Sequence, residues 1–195
     1  MQSNIFFASH NQHKWQELAA LFAQHHHQLN LADPDYPPIA ETGTTFIENA
    51  LIKAKHGALY SQQACIAEDS GLCVPILNNE PGLHSAHYCG HTNSNDNINL
   101  LLDKLKPYRQ QPIPAFFYCC VVYLQDHQDP LPHIAQGRVY GEILSKPQGK
   151  QGFGYDPIFY LPQLKLSMAE LSTAQKNQHS ARQAAVQQLF AHYSQ

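Results

Sequence analysis

The sequence predicts a mixed α/β fold in which a central sheet carries flanking helices. Three observations point there. The chain opens as strand, loop and helix, strands and helices alternate through its N-terminal half, and the middle is β-rich around residues 115–124, a run dense in Phe, Tyr and Val. At 195 residues the length suits one well-buried core, read as a single domain over 1–195 with no internal repeat or low-complexity linker.

The elements follow in order. Residues 4–9 read as a buried first strand, and Trp15, Leu18, Ala19 and Phe22 then recur at helical spacing. Residues 28–32 are a second strand, and Asp33-Pro34-Asp35-Tyr36-Pro37-Pro38 is an irregular connection. Thr45-Phe46-Ile47-Glu48 fits a capping box, so helix restarts after Thr45. Ile47, Leu51, Ala54 and Ala58 form its apolar stripe, which places Asn49, Lys53 and His56 on another face and displays Lys53 to solvent. Residues 65–67 are a short strand feeding a tight acidic turn, Glu68-Asp69-Ser70-Gly71, and residues 72–77 are a further strand ending at Asn78-Asn79. Pro81-Gly82 opens a loop, and Ile98, Leu101, Leu102 and Leu105 mark another helix. Residues 115–124 form a central strand. Two strands, 133–139 and 141–144, lead into a glycine-rich segment over 149–156. One last helix begins at Ser172 with Gln175 completing a capping box, and Ala181, Ala185 and Leu189 line its inner face.

Composition removes several classes of function. No apolar run approaches the roughly 20 residues of a membrane-spanning helix. Ile5-Phe6-Phe7-Ala8 is too short for a signal-peptide core and no basic segment precedes it, so the expected address is the cytoplasm, without a membrane partner. A formal charge of −3 gives no global basic field for nucleic acid, so a polyanionic ligand would be met by a local cluster of cations. The five cysteines form no C-x-x-C pair, and their odd number argues against a disulfide framework. The run His25-His26-His27 invites a metal reading, which a polar loop after a helix explains equally well.

Chemistry concentrates in a few segments. Ser9-His10-Asn11-Gln12-His13-Lys14 joins a strand to a helix, where free amides and the helix dipole favour a phosphate and Lys14 adds a full charge; a solvated helix start is the plainer alternative. Lys53, Lys176 and Arg182 supply cations from other segments, as a small polyanionic substrate of a near-neutral protein requires. Glu41, Glu68 and Asp69 offer the hard oxygens that Mg²⁺ prefers when it is shared with substrate phosphates, too few for an all-protein cage. A spare carboxylate can orient or deprotonate an attacking water. Because strand neighbours alternate, Glu68 can also point away from Asp69, which then does most of the work. Phe153, between Gly152 and Gly154, is either a stacking face for a planar base or a core anchor. Asp156 precedes Pro157, which holds it extended.

These residues resemble the non-canonical purine nucleoside triphosphate pyrophosphatases, the inosine/xanthosine triphosphate pyrophosphatase family, over nearly the whole chain. The resemblance rests on residues 9–14, Glu41-Thr42-Gly43-Thr44-Thr45-Phe46-Ile47-Glu48-Asn49-Ala50, Ala67-Glu68-Asp69-Ser70-Gly71-Leu72, Pro81-Gly82-Leu83-His84-Ser85-Ala86, Gly152-Phe153-Gly154-Tyr155-Asp156-Pro157-Ile158-Phe159, and Ala169-Glu170-Leu171 leading to Lys176. It is their order and spacing that are specific. The resemblance implies an elongated sheet with two lobes around a substrate cleft, a homodimer, a Mg²⁺ requirement, and hydrolysis of ITP, dITP or XTP to the monophosphate and pyrophosphate. It assigns Asp69 as general base and metal-associated acid, with Glu41 and Glu68 as supporting or metal-facing carboxylates. Ser9, His10, Asn11, Gln12, His13, Lys14, Lys53 and Ser70 fall to the phosphates, and Phe153, Gly154, Tyr155, Asp156, Lys176, Ala181 and Arg182 to the nucleoside. Arg182 is a natural donor to a purine 6-oxo group. The chain departs from the family where His10 and His13 replace glycines of the first loop and where Ala181 replaces the His of a His-Arg pair. Two other readings stand beside this one: a Maf-like pyrophosphatase acting on pyrimidine or modified nucleotides, and a nucleotide-binding module without turnover.

Overall fold

The computed structural model describes residues 4–108, 110 and 112–193. Among the described residues eight strands form a mixed sheet: β1 (Asn4–Phe7), β2 (Gln28–Leu31), β3 (Cys65–Val74), β4 (Glu80–Pro81), β5 (Pro114–Leu124), β6 (His133–Ile143), β7 (Phe159–Leu161) and β8 (Leu166–Ser167). They hydrogen-bond in the order β2-β1-β3-β5-β6-β7-β8, with β4 on β3, so the aromatic and β-branched β5 is central as expected. Strand β1 is parallel to β2 and β3, whereas β7 is antiparallel to both β6 and β8. The parallel pair β1 and β2 is joined by the long crossover that such a pair needs, while antiparallel β7 and β8 close through the short segment 162–165. The helices are α1 (Gln12–Ala23), α2 (Phe46–Ser61), α3 (Ser94–Lys104), α4 (Thr173–Gln178) and α5 (Ala181–Tyr193). None is long and apolar enough to cross a membrane. The chain divides into two compact units, one comprising the chain up to Asp69, Cys119–Gly137 and the chain from Ala181, the other Ser70–Tyr118 and Arg138–Ser180.

In the first unit α1 buries Leu18, Leu21 and Phe22, and Phe22 meets Phe190 of α5 edge-on at 5.1 Å between centroids. His25 and His27 stack on the same Phe190 ring at 3.8 and 5.3 Å, so two members of the histidine run serve to pack a helix end. Helix α2 has the expected capping box at Thr45 and Glu48, but its inner face differs from the apolar stripe read from the sequence. Asn49, Ala50, Ala54, Gly57 and Ala58 are buried, while Ile47 and Leu51 lie at its margin. The smallest side chains allow the closest approach to the sheet, and the polar residues beside them turn inward. Lys53 is therefore almost enclosed, its side chain 11% exposed, rather than displayed. On β6 a Cβ at Gly137 would stand 2.0 Å from the Ala181 carbonyl oxygen, so only glycine lets α5 start against this strand.

The second unit is built on Leu72 and Val74 of β3, Ile98, Leu101 and Leu105 of the α3 segment, and Ile158, Phe159 and Leu161. Several elements here and at its borders depart from expectation. The segments 133–139 and 141–144 are one continuous strand, β6, because Gly141 keeps extended backbone and lies against the Tyr160 carbonyl and the Phe159 ring. Residues 75–77 form a 3-10 turn instead of strand, with proline at its start. The expected last helix is also two helices, α4 and α5, separated where His179 leaves helical geometry at φ −126° and ψ 24°. No Gly or Pro marks that break. Finally, Glu68-Asp69-Ser70-Gly71 is not a turn. Residue types that favour turns are overridden by pairing, and β3 runs through them from Cys65 to Val74. All five cysteines are free thiols, four of them buried.

Candidate active site

Within a strand, adjacent side chains leave on opposite faces, so Glu68 and Asp69 enter different surroundings. The Glu68 side chain is fully buried. Arg182 grips it through Nε on Oε2 and Nη2 on Oε1, the latter at 3.0 Å, and Lys14 Nζ lies 2.8 Å from Oε1. The Cys119 thiol donates to Oε2 at 3.3 Å. Burial alone would raise the Glu68 carboxyl, but Arg182 and Lys14 hold it well below the usual carboxylate range. Glu17, buried on α1, accepts from Arg182 Nη1. Two carboxylates and two cations thus balance in one enclosed cluster.

Asp69 has other neighbours. Its Oδ1 accepts from Lys53 Nζ at 2.8 Å, and the same ammonium reaches Oε1 of the exposed Glu41 at 3.1 Å. The second oxygen, Oδ2, is buried and has no hydrogen-bond partner among the described residues. Burial raises the Asp69 carboxyl against the lowering pull of Lys53. This is a carboxylate held at one oxygen, oriented by a cation, and more basic than an exposed aspartate. Of the three acids expected to face a metal, Glu41 and Asp69 come together through Lys53. Glu68 does not join them, because both its oxygens are taken by Arg182 and Lys14.

The first loop leads into α1. Ser9 Oγ accepts the Asn11 amide at 3.1 Å, and Asn11 Oδ1 caps the helix by accepting the Lys14 amide at 3.1 Å. Gln12 and His13 lie exposed on the first turn. Among the described residues, the non-glycine positions with positive φ are His26, Gln62, Asn78, Asn79 and Lys165. Neither His10 nor His13 is one of them, so histidine in place of glycine imposes no left-handed strain here.

The second unit holds a separate constellation. Asp156 Oδ2 accepts the Phe153 amide at 2.8 Å and Lys176 Nζ at 2.6 Å, and that ammonium sits 4.4 Å from the Phe153 ring centroid. Gly154 takes φ +60°, and Tyr155 is buried with an Oη that has no hydrogen-bond partner among the described residues. Burial raises the Tyr155 phenol. Gly152 is dictated twice, by φ +75° and because a Cβ would stand 2.1 Å from Asp156 Oδ2. Gly152→Ala is expected to lower unfolding stability by about 1–3 kcal/mol through backbone strain and displacement of Asp156. A urea midpoint equal to that of the unmutated protein would show that this turn has slack. Ser70, next to Asp69 on β3, is half-buried.

The residues assigned to the nucleoside consequently fall into two groups. Phe153, Gly154, Tyr155, Asp156 and Lys176 belong to the second unit, whereas Ala181 and Arg182 open α5 in the first, with the Arg182 guanidinium on carboxylates. Glu17 is the member of the site that the sequence reading missed. Its signal is faint: it lies three residues after Lys14 on one helical face and four before the buried Leu21.

Comparison with known proteins gives one consistent outcome. Residues 5–192 match the model of the Ham1 family. The dITP/XTP pyrophosphatase of Acinetobacter baylyi is 42% identical over 192 residues, covering 95% of this chain and 91% of that protein. The dITP/XTP pyrophosphatase of Vibrio cholerae is 42% identical over 189 residues, covering 95% and 94%. The solved structure of a HAM1 protein from Coxiella burnetii superposes with a TM-score of 0.87 at 36% identity, covering 99% of each chain.

Proposed function

The chain belongs to the Ham1 family, and we propose that it hydrolyses non-canonical purine nucleoside triphosphates, dITP, ITP and XTP, to the monophosphate and pyrophosphate. Such an enzyme keeps deaminated purines out of the nucleotide pool. The observation that carries this reading is Asp69, a buried carboxylate with one oxygen on Lys53 and the other without a hydrogen-bond partner among the described residues.

The reaction adds water across the anhydride bond between the α- and β-phosphates. Asp69 Oδ2 takes a proton from that water, and burial makes it a stronger base for the step. Lys53 keeps the carboxylate oriented through Oδ1 and carries positive charge for the phosphates. The loop amides over residues 9–14, with Ser9, Asn11 and Lys14, receive phosphate oxygens at the start of α1. Gln12, His13 and Ser70 complete that set, and His10 joins it through its backbone amide, its side chain lying against Tyr36. Phe153 offers a face to the base beside Lys176, with Gly154, Tyr155 and Asp156 shaping the turn. Asp156 fixes the Lys176 ammonium by a direct ion pair. Arg182 acts through Glu68 and Lys14 in this arrangement, and Ala181 sets the start of its helix.

Hard carboxylates suit a divalent cation shared with substrate phosphates, so Glu41, with Asp69 beside it on the same Lys53 ammonium, would hold Mg²⁺ while Asp69 Oδ2 stays open to the attacking water. Among the described residues no three His, Cys, Asp or Glu side chains are grouped to cage a metal, which leaves room for phosphate oxygens in its coordination. A bound Mg²⁺ would neutralise charge on those oxygens. A cytoplasmic homodimer is part of the same proposal, on the strength of the family resemblance.

The test is to incubate the protein and Mg²⁺ with XTP, dITP, ITP, GTP, ATP and dTTP and to identify the phosphate product. Pyrophosphate is expected, with XTP, dITP and ITP preferred and turnover lost when EDTA removes the cation. Orthophosphate as the product, or equal rates for ATP and XTP, would overturn the assignment.

A further inference from the structure

The first loop is tied down by a residue outside the acid cluster. His10 Nε2 lies 3.1 Å from the carbonyl oxygen of Asp33. A carbonyl only accepts, so Nε2 carries the proton and donates it. The imidazole also leans on the Tyr36 ring, with centroids 5.5 Å apart.

Both anchors are themselves fixed. The Asp33 carbonyl also accepts the Tyr36 amide at 3.1 Å, and its Oδ1 accepts the Asp35 amide at 3.0 Å and the Tyr60 hydroxyl at 2.9 Å. Tyr36 is 4% exposed, its hydroxyl pairs with His56 Nδ1 at 2.9 Å, and its ring meets Phe6 and Tyr60 edge-on at 5.4 and 5.1 Å. His56 and Tyr60 belong to α2, the helix that also carries Lys53. The turn over residues 33–36 is thus pinned to α2, and His10 joins the loop to it.

We propose that His10 is a positioning residue, a latch that holds the loop over residues 9–14 against the pinned turn at 33–36 so that its amide donors are ordered before the triphosphate arrives. A loop without the latch must be ordered at binding, and the conformational freedom lost at that moment is taken from affinity. The effect therefore falls on affinity and not on the chemical step. This inference rests on the proposed reading of the loop as a phosphate site.

Two substitutions separate the donor from the ring. His10→Phe keeps an aromatic body against Tyr36 and loses the donor, whereas His10→Gln keeps an amide donor of similar reach. His10→Phe is expected to raise KM for XTP about fivefold, the scale of one hydrogen bond, with kcat changed less than about twofold. It should also speed amide hydrogen exchange over residues 9–14 in the protein without substrate, and His10→Gln should recover both readouts. Unchanged exchange and KM in His10→Phe would remove the latch. A loss of kcat shared equally by Phe and Gln would overturn it too, by assigning His10 to the substrate itself. If the unmutated protein releases no pyrophosphate from XTP, the proposed function fails while the exchange comparison still decides the latch.

Discussion

Asp69→Asn is expected to slow pyrophosphate release by about a thousandfold while leaving nucleotide affinity within a few-fold of its starting value. The substitution is nearly isosteric, and Asn keeps an oxygen that Lys53 can reach. What it loses is the ability to accept a proton and the negative charge that a cation needs. Lys14, Lys53 and the loop amides, the groups proposed to meet the phosphates, are left in place. Single-turnover measurement of pyrophosphate from XTP reads the chemical step, and calorimetric titration with XTP reads binding. A rate within about tenfold of the unmutated protein would remove Asp69 from the chemistry, because general-base contributions rarely fall below that. Loss of binding without loss of rate in the bound complex would make Asp69 a substrate anchor instead.

The sequence disclosed the parts of this protein whose physics is local. The Thr45-Glu48 and Ser172-Gln175 capping boxes and the dense Phe-Tyr-Val run of β5 are each written within a few residues, and each is found. What the sequence hid depends on partners far along the chain. Glu68-Asp69-Ser70-Gly71 carries turn residues, yet β3 runs straight through it, between its pairing with β1 at Cys65 and Ile66 and with β4 at Cys73 and Val74. That straightening separates the two acids onto opposite faces and gives them unlike roles. Glu17 and Arg182 are 165 positions apart, so no local pattern announces their pairing. Lys53 reads as a displayed cation because helical spacing cannot show that Ala50, Ala54 and Gly57 draw α2 close to the sheet.

That distant pairing sets up the second large effect, which is on stability. Arg182→Met is expected to destabilise the fold by about 3–5 kcal/mol, the usual cost of removing one partner from a buried ion pair. Arg182 sits at the start of α5, where the helix dipole opposes a cation, so Glu68 and Glu17 are what hold it there. Without it the enclosed Glu68 and Glu17 both lose the guanidinium, and Glu68 keeps Lys14. Glu17→Gln in the same chain removes one of those charges and should recover part of the loss, giving a clear departure from additivity in a double-mutant cycle. The pH dependence has a definite sign. The Glu68 carboxyl lies well below its unfolded value of about 4.3, so its contribution is fully present above that pH and is lost as pH falls through the folded value. Arg182→Met raises the folded value and flattens that acid limb in urea titrations carried below about pH 4.3. A cost under about 1 kcal/mol with an unchanged limb would mean that water screens the cluster as it does a surface pair. Activity should follow stability for a connected reason: with Arg182 gone, Glu68 draws on Lys14, and the ammonium proposed to meet the phosphates is held more tightly by the protein.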